Sequence, residues 1–270
     1  MANLRELREK LTKDGYDDDR ARAKVCQDIV LKAIARSGMA NHVTVKGGLV
    51  MQSVSGDRRR ATRDMDLDFI RYSLDDDSIR AFIKTLNRYC PQGVTIEIDG
   101  AIEELSQQEY RGKRVNILLS DEDGKPFRSK IDLGVHANLK IAQEEHCFDV
   151  CLDDEGASLL MNSKEQIFTE KLKSLLIFGV NSTRYKDVFD LCFLSDKLDS
   201  ERLRECMDAY IYQNPDVRRN DISAVRKRVS NIFRNRGYRM KLNGRREANW
   251  LEVNADEAFR RILDFLDTLQ

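Results

Sequence analysis

The chain has 270 residues, 41% hydrophobic and 34% charged, with 46 Lys and Arg balanced by 46 Asp and Glu. That composition suits a charge-rich globular protein, long enough for one large domain or two ordinary ones, and excludes a disordered chain. Zero formal net charge excludes a uniformly basic nucleic-acid-binding surface but leaves room for local patches.

Leu4 to about Arg36 reads as one or two helices, because Val25, Ile29, Val30, Ala33 and Ile34 recur at helical spacing and Ser37-Gly38 supplies a stop. His42 to Lys46 is a short β-branched strand, followed at once by Gly47-Gly48 and a helix from Leu49 to Val54. A strand, glycine turn and helix in succession aim backbone N–H groups and the positive end of a helix dipole forward, which suits a phosphate. Glycine lets the phosphate reach the backbone; an ordinary turn would show the same two residues.

Arg58-Arg59-Arg60 and Arg63 lead into Asp64-Met65-Asp66-Leu67-Asp68-Phe69. Strict alternation predicts a strand with Asp64, Asp66 and Asp68 on one face and Met65, Leu67 and Phe69 on the other. Carboxylates two apart on a strand stand about 7 Å from each other and repel by about 2 kcal/mol at an effective dielectric of about 20. A solvated edge tolerates that crowding, and a divalent cation exploits it: Mg²⁺ takes hard oxygen ligands, commonly one or two carboxylates plus substrate phosphates.

Leu74 to Tyr89 is a helix opened by Asp75-Asp76-Asp77-Ser78, with Ile79, Phe82, Ile83 and Leu86 on one face. Val94 to Ile98 is a strand, and Arg114–Leu119 with Phe127–Val135 forms a hairpin about a polar turn containing Asp123-Gly124. In its second strand Ile131, Leu133 and Val135 face the core, leaving Asp132, Gly134 and His136 opposite. Asp132 is that strand's only acid. It reads either as the third carboxylate of a metal site or general base, or as an exposed Asp on an antiparallel strand.

Near Ser158 the β-branched runs give way to helical patterns, so an α+β domain over 1–158 and a helical domain over 159–270 are expected. Ser163-Lys164-Glu165-Gln166 opens a helix with Ile167, Leu172, Leu175 and Leu176 on its apolar face; Gly179 ends it and Asn181-Ser182-Thr183 cap the next. Arg184-Tyr185-Lys186-Asp187-Val188-Phe189-Asp190 sets Asp187 and Asp190 three apart, with Arg184 and Lys186 able to pair with them as a surface network or a site. Glu201–Tyr212, Asp221–Phe233 and Ala255–Leu269 are further amphipathic helices. Arg218-Arg219, Arg226-Lys227-Arg228 and Arg234-Asn235-Arg236 make this third basic, as solvated faces or as a track for a phosphate backbone.

The six cysteines form no CxxC pair, the three histidines show no zinc spacing with them, and no apolar run is long enough to span a membrane. With no apolar signal region after Met1, a cytoplasmic location is expected.

Taken together, Lys46-Gly47-Gly48, Arg60-x-Thr62-Arg63-Asp64-x-Asp66, Ile131-Asp132, Glu170-Lys171-Leu172 and Arg184-x-Lys186-Asp187-x-x-Asp190 resemble the AbiEii/AbiGii nucleotidyltransferase toxins of bacterial toxin–antitoxin (abortive infection) systems. The resemblance implies a polymerase-β-like nucleotidyltransferase core with a mixed sheet, followed by a helical C-terminal domain. It implies Asp64 and Asp66 as the metal-binding pair for Mg²⁺ or Mn²⁺, with Asp132 as the third carboxylate, taking the proton of an attacking hydroxyl. It implies Lys46, Gly47 and Gly48 at the nucleotide-phosphate loop, Arg63, Arg184 and Lys186 as further nucleotide-binding residues, and Lys171, a motif lysine whose compact charge suits a triphosphate, as both nucleotide-binding and catalytic. Arg184, Lys186, Asp187 and Asp190 fall on the second motif, where Asp187 contributes to catalysis or holds Lys171. Two departures stand out: Leu49 replaces the small hydroxyl residue after Gly-Gly, and Asp68 leaves open whether the acidic pair is Asp64/Asp66 or Asp66/Asp68. The partners implied are a nucleoside triphosphate, an RNA acceptor such as a tRNA end, and a cognate antitoxin. Two other classes compete: an enzyme of the same type acting on a protein or small molecule, and an inactive relative that binds a partner or nucleic acid.

Overall fold

A computed structural model describes residues 3–105, 112–122, 124–217 and 221–270. Asp123 of the expected hairpin turn and the Arg218-Arg219 pair lie outside the described residues. The chain divides into two compact units, Met1–Asn162 and Ser163–Gln270.

The first unit is mixed α/β. It opens with α1 (Leu4–Lys13) and α2 (Asp18–Arg36), whose first-turn N–H groups are capped by the Asn3 and Asp17 side chains. Every residue of α2 from Val25 to Ile34 is buried, so this helix forms part of the core. β1 (Val43–Lys46) runs directly into α3 (Gly47–Ser55), with no intervening turn residue. There follow β2 (Met65–Phe69), α4 (Asp76–Arg88), β3 (Thr95–Ile98), β4 (Glu103–Leu105), β5 (Gly112–Ser120), β6 (Phe127–Val135), β7 (Glu144–Val150) and β8 (Asp153–Met161).

These strands make one mixed sheet in the order β3-β5-β6-β2-β1-β8-β7, with β4 also paired to β5. The β1–β8 and β2–β6 pairs are parallel and the others antiparallel. Met65, Leu67 and Phe69 are fully buried, as the alternation requires, and Ile131 and Leu133 of β6 join them. The β5–β6 hairpin is as read from the sequence. The β7–β8 hairpin was not legible: β7 is Glu-Glu-His-Cys-Phe-Asp-Val and β8 opens on Asp153-Asp154-Glu155-Gly156, neither of them β-forming composition. Ser158 therefore lies inside a strand, and the chain turns helical at Ser163.

The second unit is helical. It contains α5 (Lys164–Phe178), α6 (Lys186–Leu194), α7 (Ser200–Met207) continuing into a π-helical turn (Asp208–Tyr212), α8 (Ile222–Arg234), α9 (Arg236–Asn243) and α10 (Ala255–Thr268). α5 is buried along most of its length and packs against α6, α7 and α8. Ser163 caps it through a bond from the Gln166 N–H, and Gly179, at φ +55°, ends it. α6 departs from expectation. It starts after Tyr185 with no side-chain cap, while the Ser182 hydroxyl accepts instead from the Arg184 N–H at 3.3 Å. Among the described residues no helix is long and apolar enough to cross a membrane.

Candidate functional site

Strand register sets the first cluster. Asp66 of β2 pairs with Lys46 of β1 on one side and Asp132 of β6 on the other, and Asp68 pairs likewise with Thr44 and Gly134. Cross-strand partners project to the same face, as do residues two apart, so Lys46, Asp66, Asp68 and Asp132 share one face of the sheet.

Three of the acids have drawn in a basic neighbour. Asp68 is 3% exposed, and its Oδ1 lies 2.6 Å from Lys46 Nζ. Gly134 makes room for that pair: a Cβ there would sit 2.2 Å from Asp68 Oδ1 and 3.2 Å from Lys46 Nζ. Asp132 is buried and receives a two-pronged grip from Arg114, directly opposite on β5, with Nε donating to Oδ1 at 2.7 Å and an NH2 group to Oδ2 at 2.8 Å. These bonds to Asp132 hold the Arg114 guanidinium above its ordinary pKa. Asp64, just before β2 and half exposed, pairs with Lys130 at 2.9 Å. The repulsion along the acidic strand is thus relieved by the protein's own cations, an outcome not weighed from sequence. Among the described residues no three His, Cys, Asp or Glu side chains are gathered to hold one metal ion.

Asp66, half-buried, meets the glycine junction. Gly47 has φ +64°, and a Cβ on it would lie 2.7 Å from Asp66 Oδ2. A Cβ on Gly48 would lie 2.7 Å from Thr62 Oγ1. Thr62 is in turn fixed by its backbone: its carbonyl accepts from Gln27 Nε2 at 3.1 Å and its N–H donates to Gln52 Oε1 at 3.4 Å. No side chain caps α3, so its first-turn N–H groups keep the anion-binding character of a helix start. Leu49 is buried and belongs to the core. Arg63 is exposed and pairs with Asp19 at 3.0 Å.

The second cluster lies in the helical unit. Lys171 of α5 is 7% exposed, and its Nζ sits 2.6 Å from Asp187 Oδ1 and 2.8 Å from Asp190 Oδ2, both on α6. The indole N–H of Trp250 donates to Asp190 Oδ1 at 2.9 Å. Arg184, 63% exposed, brings its Nε to 3.1 Å from Asp187 Oδ2, an ion pair in which that oxygen accepts no hydrogen bond. The buried Tyr238 hydroxyl is also unbonded; burial, then Tyr185 and Asp187, push its pKa up, so it stays protonated. Lys186 is half-buried at the start of α6.

Sequence reasoning missed Arg114, Lys130 and Trp250. Arg114 was recoverable from the hairpin register; Trp250 lies 60 positions from its partner and left no local signal. Three of the cysteines are chemically quiet. Burial pushes the thiols of Cys26, Cys90 and Cys206 up to about 12, so they remain protonated and poorly nucleophilic.

No curated protein matches the chain in sequence. The family model described as nucleotidyl transferase AbiEii toxin, type IV TA system, matches residues 29–263, a span that takes in the glycine junction, the acidic strand, Asp132 and the whole Lys171 cluster. With most of its length accounted for in this way, the chain belongs to the AbiEii family of nucleotidyl transferase toxins of type IV toxin–antitoxin systems.

Proposed function

We propose that the protein is a Mg²⁺-dependent transferase with a polymerase-β-like core, which moves a nucleotide from a nucleoside triphosphate to an RNA acceptor, tRNA ends included. Family membership supports the transferase class and implies a cognate antitoxin. Abortive infection and a cytoplasmic setting, where triphosphates are supplied, complete the reading.

One observation carries it: the glycine junction meets the acidic strand at Asp66, which stands in register with Asp132. The space a Cβ would fill at Gly47 is bounded by a hard carboxylate oxygen and by the start of α3, a setting suited to both an ion and a phosphate. Asp64 and Asp66, with the substrate phosphates, would hold a divalent ion, Mg²⁺ or Mn²⁺, which would supply positive charge for the phosphoryl oxygens, and Asp132 would stand beside it as the third carboxylate. Exposure favours Asp64/Asp66 over Asp66/Asp68: both Asp64 and Asp68 have a lysine partner, but Asp64 is half exposed whereas Asp68 is buried against Lys46.

In this mechanism the backbone N–H groups at Gly47 and Gly48 hold the triphosphate. The acceptor hydroxyl oxygen bonds to the α-phosphorus in line as the bond to pyrophosphate breaks, and the hydroxyl proton passes to Asp132. Arg114 keeps the Asp132 carboxylate in place. Lys171 is a positioning residue: buried between two carboxylates, it fixes α5 to α6 and leaves Arg184 as the exposed cation for an anionic ligand.

Incubating the purified chain with each labelled triphosphate and total RNA tests this. Labelled RNA from the wild type and none from a folded Asp66→Asn variant is the expected result; equal labelling by both overturns it. A second reading, a non-catalytic relative that keeps the site as scaffold, draws on the internal pairing of Asp64, Asp68 and Asp132. It is favoured if the wild type labels nothing: neither RNA, nor protein, nor small acceptors.

A further inference from the structure

Between Ile222 and Arg246 the sequence carries nine Lys or Arg and neither Asp nor Glu, in a chain whose charges cancel overall. Three of the nine are tied to acids elsewhere in the helical unit: Arg226 to Asp267, Arg239 to Asp256 and Arg245 to Glu247. The other six, Lys227, Arg228, Arg234, Arg236, Lys241 and Arg246, have no ion-pair or hydrogen-bond partner among the described residues. All but Arg228 are exposed. Lys227 and Arg234, seven apart, share one face of α8. A solvated helix face ordinarily mixes signs along its length; this one does not.

A second, independent feature adjoins it. Phe178, the last residue of α5, is 53% exposed, with Val180 beside it at 37%, and Met240 of α9 is 65% exposed. The short turn Gly179–Asn181 packs on α8 and α9. A Cβ on Gly179 would lie 2.9 Å from an NH2 nitrogen of Arg228, so an uncompensated guanidinium lies against the residue that follows the exposed ring. Aromatic faces beside unpaired cations are how proteins hold single strands: bases stack on the ring while Lys and Arg follow the phosphates. A duplex hides its bases and would gain only from the charge.

We infer that the end of α5 with α8 and α9 is a binding surface for single-stranded RNA, with Phe178 as the stacking platform and Arg228, Lys227 and Arg234 as phosphate contacts. Resting on the transferase reading above, this names the acceptor as a strand with unpaired bases and gives it a place on the helical unit.

Fluorescence anisotropy with a labelled single-stranded RNA, its duplex form and a polyglutamate competitor tests the surface, using the full chain without triphosphate. The wild type and Asp66→Asn should bind the single strand equally, and more tightly than the duplex. Phe178→Ala and Phe178→Leu should each weaken single-strand binding about tenfold and leave duplex binding unchanged. A Lys227→Gln/Arg234→Gln double variant should lower the slope of log affinity against log salt by about 1.4. Wild-type affinity and salt slope in these variants overturn the surface, as does displacement of RNA by polyglutamate at equal charge, which would mark an acidic protein as the partner. RNA binding by a wild type that transfers no nucleotide keeps the surface and removes the transferase reading. Transfer with binding indifferent to Phe178, Lys227 and Arg234 does the reverse.

Discussion

The two ionic clusters are built from the same residue types and behave oppositely. In the sheet unit each of three aspartates has its own cation, and Asp66, at the glycine junction, keeps partial access to solvent. In the helical unit one lysine serves two buried aspartates, and Trp250 adds a further bond. Sharing one buried cation concentrates the cost of losing it, whereas separate pairs spread it. The difference suggests a working surface in the first unit and a brace in the second.

The sharpest way to break the comparison is Asp66→Asn. Nucleotide transfer should fall about a hundredfold or more, since several kcal/mol of charge stabilisation is lost, while the thermal midpoint moves little. Next comes Lys171→Met, which strands Asp187 and Asp190 without their ammonium. Urea titration of the full chain should show a loss of about 3–5 kcal/mol, with activity following the folded fraction. Lys130→Ala, which frees the half-exposed Asp64, should cost about 1 kcal/mol or less in the same titration. A loss as large as that of Lys171→Met would erase the distinction between the clusters.

The smallest effect is a pH dependence. The Lys32 ammonium beside Asp153 holds that carboxyl below the usual carboxylate range. A lowered folded pKa means that the pair contributes above the ordinary Asp value and that its contribution is lost as pH falls through the lowered one. Stability measured against pH should therefore show Asp153→Asn less stable than wild type near neutrality, with the gap closing in acid. A gap independent of pH would assign the effect to packing.

The acidic strand was legible because a period of two is local: Met65, Leu67 and Phe69 announced their burial, and the aspartates their shared face. The parallel pairing of β2 with β6, which sets Asp66 beside Asp132, was not, since nothing in either strand specifies a partner 66 positions away. Nor was the use of Lys46. Read as a phosphate-loop lysine, it points at Asp68 and needs the bare backbone of Gly134 to do so. The β7–β8 hairpin escaped because its charged residues follow exposure at the sheet edge rather than strand preference.

The two adjacent glycines are not equivalent. At Gly48 the three atoms nearest an added methyl group all belong to the Thr62 side chain, its Cβ included at 2.8 Å, so Thr62→Gly is the change that clears them as a suppressor of Gly48→Ala. At Gly47 the obstacle is double, a carboxylate oxygen in front and a left-handed backbone beneath. Trimming Asp66 would clear the first and leave the second, so a lesion at Gly47 has no partner substitution that restores it.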